Sequence, residues 1–356
     1  MTPHILDTPS TTGVIRVLVV DDSAFVRKIV SHMLSKSTAI EVVGTARDGR
    51  EALEMADLTL PDVIICDLNM PEMNGVTFVH RQMARRRVPI IIVSVASSAG
   101  DQVLAALDAG AVDFVQKPTA LASDRLLEMA DELIAKVQAA AHAVVRKVAP
   151  AAANGAAHGP SRPWPARPYV ELVLIGISTG GPQGLKLVIP RLAADFPVPV
   201  AIVLHMPVGY TEVYAKKLDD LSPLWVKEAE DGDPVTGGVV LLAPAGRHLT
   251  FRREGAALAA HLDLDPRGTA HRPSVDVMFT SAAEIVGAGV LGVVMTGMGA
   301  DGRQGAGSIK ASGGRILTEA EESCVVYGMP RCVDEAGLSD RSVPIEQMAD
   351  AIMEQL

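Results

Sequence analysis

The chain has 356 residues, of which 48% are hydrophobic and 21% charged, a globular composition that excludes wholesale disorder and a collagen-like repeat. At roughly 150 residues per domain it has the length of two or three domains. The net charge is −10, with 15 basic against 18 acidic residues up to residue 150 and 17 against 24 beyond it; aromatics are only 3%, so neither half suits a polyanion or a base-stacking role.

Residues 1–13 read as an N-terminal tail. They carry neither a basic patch nor an apolar stretch, and apolar runs elsewhere reach only about nine residues, so no signal peptide, no membrane insertion and a cytoplasmic setting are expected. Residues 14–20, 41–44, 63–66, 89–93 and 114–115 read as strands, with amphipathic helical patterns between them. Five such units in about 120 residues predict a doubly wound parallel sheet of flavodoxin-like order. From Arg125 to Val148, apolar residues at helical spacing predict one long helix closing a first domain over 14–148. In residues 149–168, 14 of 20 are Ala, Pro or Gly, the composition of a linker.

Residues 169–356 repeat the α/β logic, with strands expected at 172–177, 200–204, 239–243 and 290–295 and an antiparallel excursion over 247–263. Cys66, Cys324 and Cys332 are an odd number and too few to staple a chain of this size, so reduced thiols are expected.

In a parallel sheet, ligands bind in the crevice beyond the carboxyl ends of the strands. In the first domain Asp21 and Asp22, Asp67, Ser94 and Lys117 lie at those ends. Three converging carboxylates repel one another by about 4 kcal/mol per pair at 4 Å and an effective dielectric of 20. Their hard oxygens suit Mg²⁺, which also engages a phosphoryl group. The competing reading is that each Asp caps the helix or turn after it.

These residues, in V-V-D-D-S (19–23), C-D-L-N-M-P-E-M-N-G (66–75), Ser94 and F-V-Q-K-P (114–118), resemble the receiver domain of bacterial response regulators. The resemblance implies that Asp67 accepts a phosphoryl group from a chemotaxis histidine kinase. It also implies that Asp22, Asp67 and the Asn69 carbonyl hold Mg²⁺ with Asp21 acting through water, that Ser94 and Lys117 sense the phosphoryl group, and that Phe114 is a switching aromatic. Ser94 stands where threonine also occurs in that family.

In the second domain, the strand at 172–177 runs into G-I-S-T-G-G-P, the G-x-S-x-G of a strand-to-helix turn. Such a turn exposes a serine hydroxyl beside unpaired helix-start N–H groups, here those of Thr179 and Gly180, which suit an oxyanion. His205, after the strand at 200–204, is the candidate base, and Asp301, in T-G-M-G-A-D-G, the candidate orienting acid. His158, His248, His261 and His271 are placed in the linker or in polar, loop-like stretches. Gly297–Gly302 also matches the dinucleotide fingerprint G-x-G-x-x-G, with Glu319, Glu321 and Glu322 about 20 residues on, but too little chain follows for that fold. The histidines lack the close spacing of a catalytic zinc site.

The motifs I-G-I-S-T-G-G-P, L-H-M-P-V-G-Y-T (204–211), E-A-E-D-G-D (228–233), A-P-A-G-R-H-L (243–249), H-R-P-S-V-D-V-M-F (271–279), M-T-G-M-G-A-D-G (295–302) and C-V-V-Y-G-M-P (324–330) resemble the catalytic domain of the chemotaxis protein-glutamate methylesterases. The resemblance implies a Ser178 nucleophile, a His205 base, Asp301 as orienting acid, and the Met298 N–H in the oxyanion hole. It implies hydrolysis of glutamate γ-methyl esters, and deamidation of glutamines, on methyl-accepting chemotaxis receptors, with no cofactor for the hydrolytic step. Ala320 and Tyr210 depart from the family's usual acid and Phe, outside the triad, where they would shade substrate choice. The alternative readings are a response regulator whose output domain binds DNA, against which stand the −7 charge and the lack of a basic reading helix, or a non-catalytic output module.

Overall fold

The computed structural model describes residues 13–95, 100–117, 123–143 and 169–356. They fall into two compact units divided after Val145. Residues 1–12 of the tail, the end of the predicted closing helix (144–148), the predicted linker and Pro118 lie outside the described residues.

The first unit alternates strands β1 (Ile15–Val20), β2 (Ile40–Ala46), β3 (Val63–Cys66), β4 (Ile90–Val95) and β5 (Asp113–Lys117) with helices α1 (Ala24–Leu34), α2 (Gly49–Thr59), α3 (Gly75–Arg85), α4 (Gly100–Asp108) and α5 (Ser123–Ala141). The central strands are apolar on both faces because helices cover both: Val17, Leu18, Ile64, Ile65, Ile91 and Ile92 are buried. All neighbours pair in parallel in the order β2-β1-β3-β4-β5, the flavodoxin-like order, so the winding reverses between β1 and β3. β5 is longer than its two apolar residues predict, because an edge strand is held by its backbone ladder whatever its side chains. Gln116 and Lys117 stay in register with Ser94 and Val95. Helix α5 ends by residue 141, and Met129, Ala130, Leu133, Val137 and Ala140 form its buried stripe.

The second unit contains β6 (Leu172–Ile177), β7 (Val200–Leu204), β8 (Trp225–Glu228), β9 (Val239–Leu242), β10 (His248–Glu254), β11 (Ala257–Asp263), β12 (Val290–Val294), β13 (Arg315–Glu319) and β14 (Arg341–Val343). Its helices are α6 (Gly181–Val188), α7 (Thr211–Asp219), α8 (Val275–Ile285), α9 (Arg303–Ala311), α10 (Met329–Glu335) and α11 (Ile345–Met353). Seven strands form one all-parallel sheet, β14-β13-β12-β6-β7-β9-β8, whose winding reverses between β6 and β12. The expected antiparallel excursion is the β10–β11 hairpin, which buries Leu249, Phe251 and Ala260 in the same core as Leu174, Val203, Met278 and Phe279.

Three strands escape the hydropathy pattern. β8 and β14 are short edge strands, β8 exposing Trp225 with Lys227 and Glu228 half-buried and β14 exposing Arg341 and Ser342, and β13 ends on Thr318 and Glu319, polar residues that are nonetheless fully buried.

Candidate active site

Each sheet places candidate chemistry at its reversal of winding, the one place where neighbouring loops diverge and leave a crevice. In the second unit, Ile177 and Leu204 are register partners, so Ser178 and His205 occupy the next positions on adjoining strands, and the His205 N–H donates to the Ile177 carbonyl at 3.1 Å. Asp301 arrives from the other side of the reversal, on the loop after β12. The His205 Nε2–H donates to Asp301 Oδ2 at 2.8 Å. That bond fixes the tautomer: the lone pair lies on Nδ1, which is buried and has no hydrogen-bond partner among the described residues. The familiar serine-hydrolase triad binds its acid through Nδ1, so the imidazole here is used in the opposite sense.

Asp301 is held from four directions. Its Oδ1 accepts the Ser274 hydroxyl and the Asp276 N–H, both at 2.9 Å, and its Oδ2 accepts the Val275 N–H at 2.8 Å besides the imidazole. Burial by itself would raise this carboxyl, but the His205 hydrogen bond and charge, with the two α8 N–H donors, override it and hold the group well below the usual carboxylate range. Asp301 therefore stays ionised.

The turn that carries Ser178 is equally determined. Gly180, the N-cap of α6, has φ +79°, and a Cβ there would meet Val325 side-chain atoms at 2.6 and 2.7 Å. The Ser178 N–H donates to the Thr296 carbonyl at 3.0 Å. Among the described residues no acceptor takes the N–H of Gly180 or of Met298. Ser178 itself is half-buried, open enough to meet a substrate.

Several neighbours carry no sequence signal. His271 stacks on His205 with ring centroids 4.1 Å apart and 22° between planes. His248 is not in a loop as expected. It opens β10, fully buried, and its Nδ1 accepts the Ser274 N–H at 3.2 Å while Nε2 faces the Pro266 carbonyl at the same distance. Burial holds its ring below the ordinary histidine value, which keeps it neutral for this double role. Tyr210 and Ala320 are 1% and 7% exposed, so these two departures from the family pattern pack inside the unit instead of facing a substrate.

In the first unit, Asp21 and Asp67 follow the registered pair Val20 and Cys66. They are not helix caps: Ser23, Asp48 and Asn74 cap α1, α2 and α3. Lys117 bridges the two carboxylates, donating to Asp21 Oδ2 at 2.7 Å and Asp67 Oδ1 at 2.6 Å. The Asn69 N–H donates to Asp67 Oδ2 at 3.0 Å. Burial outweighs the lysine at Asp67 and raises its carboxyl above the ordinary value; at Lys117 burial is overridden by the two carboxylates, which hold the ammonium charged. Asp22 is exposed at the lip, with its main-chain carbonyl accepting from the Arg27 guanidinium at 3.1 Å. Ser94 Oγ is fully buried and has no hydrogen-bond partner among the described residues. Phe114 is buried beneath the Lys136 ammonium, 5.8 Å from the ring centroid.

The donors around Asp67 are hard oxygens, which fit Mg²⁺ in kind, although among the described residues no three His, Cys, Asp or Glu side chains stand close enough to hold a metal by themselves. All three cysteines are free thiols, and among the described residues no helix is long and apolar enough to cross a membrane.

Residues 173–352 match the CheB methylesterase family, and residues 17–131 the response regulator receiver domain. The chain belongs to the CheB methylesterase family. It is 48% identical over 335 residues to protein-glutamate methylesterase/protein-glutamine glutaminase 5 of Myxococcus xanthus, covering 94% of this chain and 96% of that relative. It is 45% identical over 342 residues to the protein-glutamate methylesterase/protein-glutamine glutaminase of Geobacillus kaustophilus, covering 96% and 98%. The crystal structure of the Thermotoga maritima CheB methylesterase catalytic domain superposes with a TM-score of 0.52 at 41% identity, covering 52% of this chain and 99% of that one. Within this CheB-family chain, residues 271–279 are where sequence reasoning fell short. The motif is visible, but nothing in it says that His271 stacks on the base or that Ser274, Val275 and Asp276 hold the acid.

Proposed function

We propose that this chain is a phosphorylation-regulated hydrolase that removes methyl esters from glutamates of methyl-accepting chemotaxis receptors and deamidates receptor glutamines, with Ser178, His205 and Asp301 as its triad. The observation that carries the reading is the 2.8 Å bond from His205 Nε2 to Asp301, which leaves Nδ1 as a free base at the strand end beside Ser178. In the first step Nδ1 takes the Ser178 proton as Oγ bonds to the ester carbonyl carbon. The N–H groups of Gly180 and Met298, with Thr179 at the same turn, receive the oxyanion. Collapse breaks the bond to methoxide, which leaves as methanol with the proton from His205; water then hydrolyses the acyl-enzyme by the same proton path. A glutamine loses ammonia by the same route.

The receiver unit supplies regulation. Asp67 takes the phosphoryl group of a chemotaxis histidine kinase, Ser94 and Lys117 contact it, and Phe114 reports it. Asp21, Asp22, Asp67 and the Asn69 carbonyl would hold Mg²⁺, which neutralises phosphoryl charge when bound. Phosphorylation turns the single negative charge of the Asp67 carboxylate into about −2 on the acyl phosphate, and this shifts the chain from an inhibited to an active state. The domain boundaries in this reading are 14–148 and 169–356, joined by 149–168, and the enzyme works in the cytoplasm on the receptors' signalling helices.

Mass spectrometry of methylated receptor helices incubated with the protein tests the activity. Loss of 14 Da per methyl ester, about the mass of one CH₂, is expected with the wild type and absent with Ser178→Ala. Equal demethylation by Ser178→Ala overturns the mechanism, and none by the wild type overturns the substrate.

A further inference from the structure

Glu319 ends β13 with its side chain fully buried, and neither the triad nor the proposed oxyanion site uses it. Its Oε2 accepts the Thr296 N–H at 2.9 Å and its Oε1 the Ser323 hydroxyl at 3.1 Å. Thr296 in turn carries the nucleophile turn. Its carbonyl takes the Ser178 N–H at 3.0 Å, its hydroxyl donates to the Thr179 carbonyl at 3.0 Å, and its Oγ1 accepts the Val326 N–H at 2.9 Å. The Thr179 carbonyl and the Gly180 N–H belong to one planar trans peptide and point in opposite directions. Holding that carbonyl therefore aims the Gly180 N–H.

We propose that Glu319 is a positioning residue for acyl transfer, whose ionised carboxylate fixes Thr296 and, through it, the peptide that presents the Gly180 oxyanion donor to Ser178. The inference rests on the Ser178 acyl-transfer reading above.

A carboxylate this deep is retained only if donors hold it, and these two do. No Lys, Arg or His is paired with it among the described residues. Burial is the main cause that pushes its carboxyl up to about 7, Glu346 on α11 adds to the effect, and the Thr296 and Ser323 donors oppose it. The Cys324 thiol donates to the Glu319 main-chain carbonyl at 3.7 Å and is itself pushed up by burial, so it stays neutral. Asp334 on α10 is occupied by the Thr318 and Tyr327 hydroxyls, and the β14 register partner of Glu319 is apolar Val343. Glu319 thus changes charge near neutral pH.

Glu319→Gln keeps the shape and cannot titrate. Two rates are measured on the full chain at pH 8 and pH 6: kcat on methylated receptor, and Ser178 labelling by a fluorophosphonate, which needs the nucleophile and its turn but no receptor. The wild-type to E319Q ratio of each rate is expected to fall about tenfold between the two pH values, as the ionised fraction of a group titrating near 7 drops from roughly nine-tenths to one-tenth. KM should stay within about twofold. A ratio that does not change with pH overturns the proposal, since a packing role alone shifts Tm and leaves the ratio flat. Thr296→Val, which deletes the linking hydroxyl, should slow labelling about tenfold at pH 8; labelling at the wild-type rate overturns the route through Thr296. If the wild type labels but hydrolyses no receptor ester, the methylesterase reading fails while the labelling ratio still decides the role of Glu319.

Discussion

Asp276 and Asp301 cap each other's helices. Asp301, just before α9, accepts the first N–H groups of α8, while Asp276, in the first turn of α8, accepts the N–H groups of Gly302 and Gly305 at 2.9 and 2.7 Å at the start of α9. Asp301 is thereby built into the packing of two helices. Burial, with the Asp301 charge beside it, raises the Asp276 carboxyl even as Asp301 is held low.

Asp276→Ala should lower stability by about 1–2 kcal/mol, the cost of a lost cap, and reduce kcat without raising KM. Asp276→Asn, whose one carbonyl oxygen can take both N–H groups, should restore most of both. Thermal unfolding with steady-state kinetics on receptor ester checks this, and a kcat equal to wild type in the alanine variant contradicts it.

Asp301→Asn places an amide where four donors converge, leaves at least one of them unpaired and loses the preferred imidazole tautomer. A fall in kcat of about 10³ to 10⁴ is expected, with a stability loss of about 1–3 kcal/mol. Because the folded carboxyl is held below its ordinary value, its contribution to stability is present above about pH 4 and lost as pH falls below that. The wild type should therefore lose part of its Tm advantage over the Asn variant in acid, as differential scanning calorimetry at pH 7 and pH 3 would record.

Glu319 has the opposite sign. Raised from 4.5 to about 7 by burial, it contributes stability that is complete below about 4.5 and lost as pH rises through 7. Glu319→Gln should be more stable than wild type at pH 8, by an amount on the order of 3 kcal/mol, and no more stable at pH 4. Parallel denaturant titrations at the two pH values give the comparison.

Gly297 lies against Ser178. A Cβ there would meet Met329 Sδ at 2.5 Å and Ser178 Cβ at 2.7 Å. Gly297→Ala should cost about 1–3 kcal/mol of stability and at least tenfold in Ser178 labelling, because the serine must move. Wild-type labelling would show that the turn yields without loss.

Asp67→Asn should retain basal ester hydrolysis and lose activation by a small phosphodonor such as acetyl phosphate. A fragment beginning near Ala149 should exceed the unphosphorylated full chain in rate if the receiver inhibits. Equal rates for fragment and full chain would remove the inhibitory role, and activation surviving in the Asn variant would remove Asp67 from its own.

Both sheets were legible in the sequence because their central strands are continuous apolar runs, which only a sheet covered on both faces demands. Ser178, His205, Asp21 and Asp67 were legible for a related reason: each directly follows such a run, and strand ends are where side chains leave the core; Asp301 and Lys117 were legible from the motifs T-G-M-G-A-D-G and F-V-Q-K-P. What the pattern could not reveal are contacts whose partners are distant in the chain and polar in type. β13 was missed, and with it Glu319, because a buried Thr-Glu pair reads as surface. His248 was misplaced because its burial depends on Ser274 and Pro266 arriving from elsewhere. The sequence by itself determined the two α/β sheets and which side chains stand at their crests. Only the tertiary structure decided which imidazole nitrogen faces the acid, which helix starts hold that acid ionised, and which buried carboxylate lies under the nucleophile, because hydrogen-bond direction and desolvation are set by neighbours that local periodicity does not encode.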